Sequence, residues 1–93
     1  MTDQFGSYKR LATAATTVIS AYPCHLIGVV VNGGSGGTIT LYDDPAAATS
    51  GNQIAIIEAI GATNPVSLPY YLVCNRGLTV VAAANTDFTV IYQ

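Results

Sequence analysis

The chain has 93 residues, 51% of them hydrophobic and only 9% charged, with a net charge of −2. That gives room for one small core, too much apolar matter for disorder, and far fewer ions than the roughly 25% of an ordinary soluble domain. Three scattered cations, Lys9, Arg10 and Arg76, exclude the basic stripe of a direct nucleic-acid binder, and no apolar run approaches the ~20 residues of a membrane-spanning helix.

Residues 1–7 (MTDQFGS) read as a loose arm. They have neither the basic leader nor the apolar core of a secretory signal, which predicts folding in a cytoplasm. From Tyr8 to Ala21 two readings compete. Leu11, Ala14, Ala15, Val18, Ile19 and Tyr22 fall at helical spacing. Against a helix, Thr16, Thr17, Val18 and Ile19 are consecutive β-branched residues, which lose rotamer freedom in a helix and suit a pleated surface. No capping pair opens the run. Two short strands are expected, near Tyr8 to Ala12 and Thr16 to Ser20, with the alanine-rich step between them as a kink.

Pro23 to Asp44 is the stretch around which the chain is organised, and it reads as one long hairpin. The first arm, Cys24 to Val31, is apolar almost throughout, which predicts a strand central in its sheet and buried on both faces. Gly28 interrupts that arm and marks a bulge or a close backbone approach. Asn32 to Gly37 form the hinge. The second arm, Thr38 to Tyr42, alternates polar and apolar residues, so one face is dry and the other wet. Asp43, Asp44 and Pro45 end it. Two adjacent acids fall short of the six or so oxygens that calcium takes, so they read as caps on local backbone.

Ala46 to Asn52 reads as a small-residue loop, and Gln53 to Ile60 as a largely buried strand with Glu58 reaching water or a partner. Gly61 to Pro69, with two prolines, reads as a loop. Tyr70 to Cys74, Leu78 to Ala84 and Phe88 to Tyr92 follow as strands, joined by turns at Asn75–Gly77 and Asn85–Asp87. Gly77 is assigned a left-handed bend. Cys24 and Cys74 fall at strand ends. A disulfide between them would link two sheet elements, but in a cytoplasm the expectation is two buried thiols. His25 is the only histidine. It has no nucleophile and no orienting group near it in sequence, so it reads as a strand residue.

Val, Ile and Thr supply 28 residues. With short polar turns at regular spacing they predict an all-β fold: a single small antiparallel β-sandwich, jelly-roll or Ig-like, of seven to eight strands. With so little charge on so small a body, much of the exterior is expected to be covered by other chains.

TTVIS at 16–20, HLIGVVVN at 25–32, GTITLYDDPAA at 37–47, NRGLTVVAA at 75–83 and DFTVIY at 87–92 together resemble the small β-sandwich virion proteins of tailed bacteriophages. The resemblance implies a non-enzymatic virion protein made in a bacterial host cytoplasm. It implies a capsid decoration or cement protein, oligomeric (a trimer ahead of a dimer) and bound across subunits of the major capsid protein. No cofactor or metal is expected. The candidate partner contacts are Phe5, Tyr8, Lys9 and Arg10, which bring two of the three cations to an N-terminal arm able to lie on an acidic shell. A frayed end is the plainer alternative. The competing function is a tail, fibre or head–tail component that binds glycans through Tyr22, Tyr42, Tyr70, Tyr71 and Tyr92. Tyrosines packed at sheet margins account for the same residues. An enzyme is the weakest reading, because one histidine without a catalytic triad or metal cluster leaves little to catalyse with.

Overall fold

The computed structural model describes residues 7–34, 37–45, 52–58, 66–83 and 86–93. Among them are eight strands: β1 (Ser7–Leu11), β2 (Ala15–Ser20), β3 (Cys24–Gly34), β4 (Thr38–Tyr42), β5 (Gln53–Glu58), β6 (Val66–Cys74), β7 (Leu78–Ala82) and β8 (Thr86–Tyr92). They form two four-stranded sheets, ordered β1-β8-β3-β6 and β2-β7-β4-β5, with every pairing antiparallel. The chain is thus an all-β sandwich, and the β-branched run at 16–19 is a strand.

The strand order settles the choice between the two sandwich topologies. β1 pairs with β8, β2 with β7, β3 with β6, and β4 with β5. This is a long four-stranded-by-four hairpin rolled upon itself, which is the jelly roll and not the Ig-like arrangement. Only β4 and β5 are consecutive strands in one sheet; every other connection crosses between sheets.

That crossing corrects the expected hairpin from Pro23 to Asp44. β3 and β4 lie in different sheets, and β3 continues through Asn32, Gly33 and Gly34 instead of ending at Val31. The alternation itself is as expected. In β4, Ile39 and Leu41 are buried while Thr38, Thr40 and Tyr42 are half-buried. β3 does lie centrally, between β8 and β6. Its inward residues Leu26, Val29 and Val31 join Phe88 and Val90 of β8. Ile39 and Leu41 of β4 and Leu78 and Val80 of β7 close the core from the other sheet.

The segment read as a loop from Gly61 to Pro69 is also corrected from Val66 onward, because β6 begins there and runs through Pro69. Proline is tolerated because β6 is an edge strand, where a missing N–H costs no ladder bond on the open side. β5 is an edge strand too and is less buried than its sequence suggests, with Ile56 exposed and Ile57 buried. Thr86 and Asp87 belong to β8, not to the preceding turn, and Ser7 belongs to β1, not to the arm. The expectations for residues 1–6, 46–51 and 59–65 lie outside the described residues.

Gly28 sits where the β3–β6 register shifts: Leu26 faces Leu72 and Gly28 faces Pro69, so Tyr70 and Tyr71 oppose Ile27 alone. This is a β-bulge. A Cβ on Gly28 would lie 2.9 Å from the Leu68 carbonyl oxygen, a backbone atom that cannot swing away. Gly28→Ala is therefore expected to cost about 1–3 kcal/mol, measured as a lower urea midpoint. An unchanged midpoint would show that β6 yields at this point.

Gly77 has φ of 159°, a backbone conformation that residues with a side chain rarely adopt, and it is needed for space as well. A Cβ there would approach Pro45 Cα to 2.5 Å and the Ser20 carbonyl oxygen to 2.8 Å. The β2 end, the β4 end and the β6–β7 connection all meet at this point. Asp43 secures the junction. Its Oδ1 accepts the backbone N–H of Arg76 at 2.9 Å and of Gly77 at 3.2 Å, and its Oδ2 accepts that of Asn75 at 3.2 Å. Asp43 is thus a cap, as expected, but on a turn more than thirty residues away and not on local backbone. Asp44 is buried, and its carbonyl oxygen accepts the Thr79 hydroxyl at 2.9 Å.

Candidate binding surface

The sheets differ in how their edges are guarded. β1 carries Lys9 and Arg10. Lys9 shares a cross-strand row with Val90, Val29 and Leu68, whose parity faces the core side, so it is a charge on the core-side parity of an edge strand, where it stays exposed. Such a charge blocks pairing with another sheet. β6, at the opposite edge, reads VSLPYYLVC and has no charged residue at all. Its guards are Pro69 and the bulge.

β6 is also where exposed apolar side chains gather. Val66, Tyr71, Leu72 and Val73 are all exposed on this one strand. Tyr71 is 78% exposed and Val73 59% exposed. Tyr71 occupies the bulge with φ of 53°, a left-handed conformation that is rare for a bulky residue. A glycine would adopt this conformation without steric cost. The ring is therefore held outward, in a strained backbone, against solvent.

The β2-β7-β4-β5 sheet adds a second low-charge surface. Its strands read ATTVIS, LTVVA, TITLY and QIAIIE, with Glu58 as the sole charge. One cross-strand row on its outer face is Thr16, Val81, Thr40 and Ile56. Every described cation outside the Asn75–Gly77 turn belongs to the other sheet.

The residues expected to make partner contacts do not form a single arm. Phe5 lies outside the described residues. Tyr8, Lys9 and Arg10 belong to β1 and not to an arm. Tyr8 is 73% exposed and faces outward with Arg10, while Lys9 alternates to the other side. Arg10 is committed to Asp87: its Nε donates to Asp87 Oδ1 at 2.9 Å, and its terminal amine pairs with Oδ2. Asn32 Nδ2 donates to the same Oδ1 at 3.1 Å and to Thr89 Oγ1 at 3.4 Å. This network ties β1, β8 and β3 together across the outer face.

The Arg10 hydrogen bond, then that of Asn32, holds the Asp87 carboxyl down at about 2, from an ordinary 3.8. A depressed carboxyl pKa means the unfolded chain takes up the proton first as pH falls. The stabilisation is complete above about pH 4 and is lost as pH drops through about 2. Arg10 is 64% exposed, so salt weakens the pair. Asp87→Asn is expected to flatten the thermal midpoint between about pH 4 and 2 relative to the parent. Equal slopes in the two proteins would contradict the assignment.

The tyrosines divide into two sets. Tyr70 and Tyr92 pack against the core, and burial pushes the Tyr70 phenol up. Tyr42 is half-buried. Tyr22 and Tyr71 are exposed. Tyr22 is held in its turn by Ser20, whose hydroxyl donates to the Tyr22 carbonyl at 2.9 Å. His25 is exposed, and its backbone exchanges both hydrogen bonds with Gln93 at 2.9 Å. No cluster of three or more His, Cys, Asp or Glu able to hold a metal occurs among the described residues.

The sequence pattern marks Tyr70 to Cys74 as a strand but leaves Val66 to Pro69 in a loop, because Pro69 argues against a strand there. The signal available was the run of apolar residues on both sides of that proline, Val66 to Leu68 and Tyr70 to Val73. No family model matches the chain, and neither a curated protein nor a solved structure matches it.

Proposed function

We propose that the protein is a non-enzymatic structural component of a tailed-phage virion: a capsid decoration protein that associates with copies of itself and lies across subunits of the major capsid protein. The observation that carries this reading is the uncharged edge strand β6, with Val66, Tyr71, Leu72 and Val73 exposed along it. An apolar strand edge is a template for docking another chain, through main-chain hydrogen bonds and side-chain pockets. The sequence resemblance supplies the virion context. Jelly rolls recur in viral capsid proteins and also in lectins. That is support by analogy only, since a fold does not carry a function.

In this reading the Arg10–Asp87–Asn32 network holds the β1 side closed, while β6 and the low-charge face of the other sheet meet neighbours. Tyr71→Glu combined with Val73→Lys places charge at the two most exposed positions of β6 beyond Pro69. The pair is expected to leave the fold intact and weaken both self-association and binding to assembled shells by at least about tenfold, or ~1.4 kcal/mol. Sedimentation velocity and co-pelleting with expanded capsids read the two effects. Unaltered pelleting by the double variant would remove β6 from the interface.

A further inference from the structure

We propose that Cys24 and Cys74 form a reversible cross-strand disulfide, closed by exchange with a low-molecular-weight disulfide once the protein leaves a reducing compartment. The inference goes beyond the proposed function and does not depend on what docks against the protein. Cys24 is the first residue of β3 and Cys74 the last of β6, and the two are direct partners in the antiparallel ladder. Directly opposed residues in such a ladder have Cα atoms about 4.5–5.5 Å apart. Disulfides span about 4.4–6.8 Å between Cα atoms, so the backbone needs no rearrangement. Both side chains are buried as free thiols in the core cluster, and they share a hydrogen bond.

The position explains what the bond would do. The bulge at Tyr70 and Tyr71 leaves the end of β6 held to β3 only through Leu72, Val73 and Cys74, opposite Leu26, His25 and Cys24. This short end carries much of the exposed apolar surface. A bond at its last residue pins it to the central strand β3. It also closes a long loop, from residue 24 to residue 74, which removes freedom from the unfolded chain.

The same burial sets the rate. It pushes both thiols up, Cys74 to about 12, with the nearby Cys24 and Asp43 adding to the effect. Thiolate is thus scarce in the closed fold near neutral pH, and exchange waits for the strand end to open. Cys24, the more accessible of the two, reacts first. Its thiolate attacks one sulfur of the small disulfide, forms a mixed disulfide and expels one small thiolate. The Cys74 thiolate then attacks the Cys24 sulfur and expels the second. The two protons leave with the two small thiols, and the two electrons from the cysteines reduce the small disulfide.

The full-length protein, purified reduced, is incubated with oxidised glutathione at pH 8, then denatured, alkylated and weighed intact. The expected product has lost two hydrogens, takes up no alkylating agent and runs as a monomer on a non-reducing gel. Its thermal midpoint is expected to rise by about 10 °C and to fall back with dithiothreitol. Cys74→Ala is expected to stop at a glutathione adduct and show no such rise. A persistent glutathione adduct on the parent protein, disulfide-linked dimers, or an intramolecular bond that leaves the midpoint unchanged or lower would each overturn the proposal.

Discussion

Phe88→Ala is expected to destabilise the fold by about 3–5 kcal/mol, the largest effect of any single truncation among the described residues. Phe88 is fully buried and, among the described residues, is the bulkiest of the fully buried side chains. It lies on β8, between β1 and β3, with Leu11 and Val31 as its cross-strand neighbours. Both sheets contribute to the cluster around it. Removing the ring loses its transfer free energy and leaves a cavity that two stiff sheets cannot collapse to fill. A small domain has only about 5–15 kcal/mol of stability in total. The variant should therefore lose a large share of it, with a thermal midpoint lower by roughly 12 °C or more. Urea unfolding of parent and variant, compared at equal slope, measures the difference. A loss below about 1 kcal/mol would mean that the sandwich is packed loosely around β8.

Asp43→Ala is expected to cost about 2–4 kcal/mol, although the residue is not in the core. One carboxylate accepts three backbone N–H groups, from Asn75, Arg76 and Gly77. Hydrogen bonds to a charged acceptor contribute about 1.5–3 kcal/mol each, and the three share one side chain, so their sum is an upper bound. The Gly77 amide is in the tightest part of the junction, against Pro45 and the Ser20 carbonyl, and is poorly placed to find water instead. Loss of Asp43 should loosen the crossing from β6 to β7 and speed amide exchange at residues 75–77. Asp43→Asn keeps one acceptor oxygen and should cost less than the alanine variant. Equal costs would assign the effect to side-chain packing and not to the cap.

Much of the architecture was legible from local pattern. The alternation of Thr38 to Tyr42 marked a strand with the burial it has, and the apolar run from Leu26 to Val31 marked a central strand, although Ile27 and Val30 on its outer face are only half-buried and not buried on both faces as expected. Gly28 marked a bulge and a close backbone approach, and both are present. What failed was the inference from chain neighbours to sheet neighbours. A glycine-rich hinge after β3 looks like a hairpin turn whether the next strand stays in the sheet or crosses to the other one. In a jelly roll nearly every connection crosses, and nothing within the turn encodes that. Long-range partners were invisible for the same reason. Asp43 was recognisable as a cap, but its turn lies at Asn75–Gly77; Arg10 was recognisable as a cation, but its partner is Asp87. Only the first part of β6, Val66 to Pro69, was hidden, because a proline argues against a strand unless the strand is known to be an edge.

The low charge of the chain has a consequence for how it is guarded. One edge, β1, carries ions, including Lys9 on its core-side parity. β6 relies on Pro69 and a bulge. These interrupt the ladder near its middle but leave the apolar side chains on either side uncovered. An edge guarded only in this way resists indefinite strand pairing while still admitting a limited contact, as a closed oligomer or a docked shell component requires. The left-handed Tyr71 fits the same account, since its ring is exposed to solvent at a conformational cost.

Sedimentation equilibrium of the reduced protein across the submicromolar to hundred-micromolar range tests the central claim most directly, with the Tyr71→Glu, Val73→Lys variant run beside it. The account predicts a discrete closed oligomer for the parent and a shift toward monomer for the variant. A parent that stays monomeric at every concentration, or a variant that associates as strongly as the parent, would contradict it.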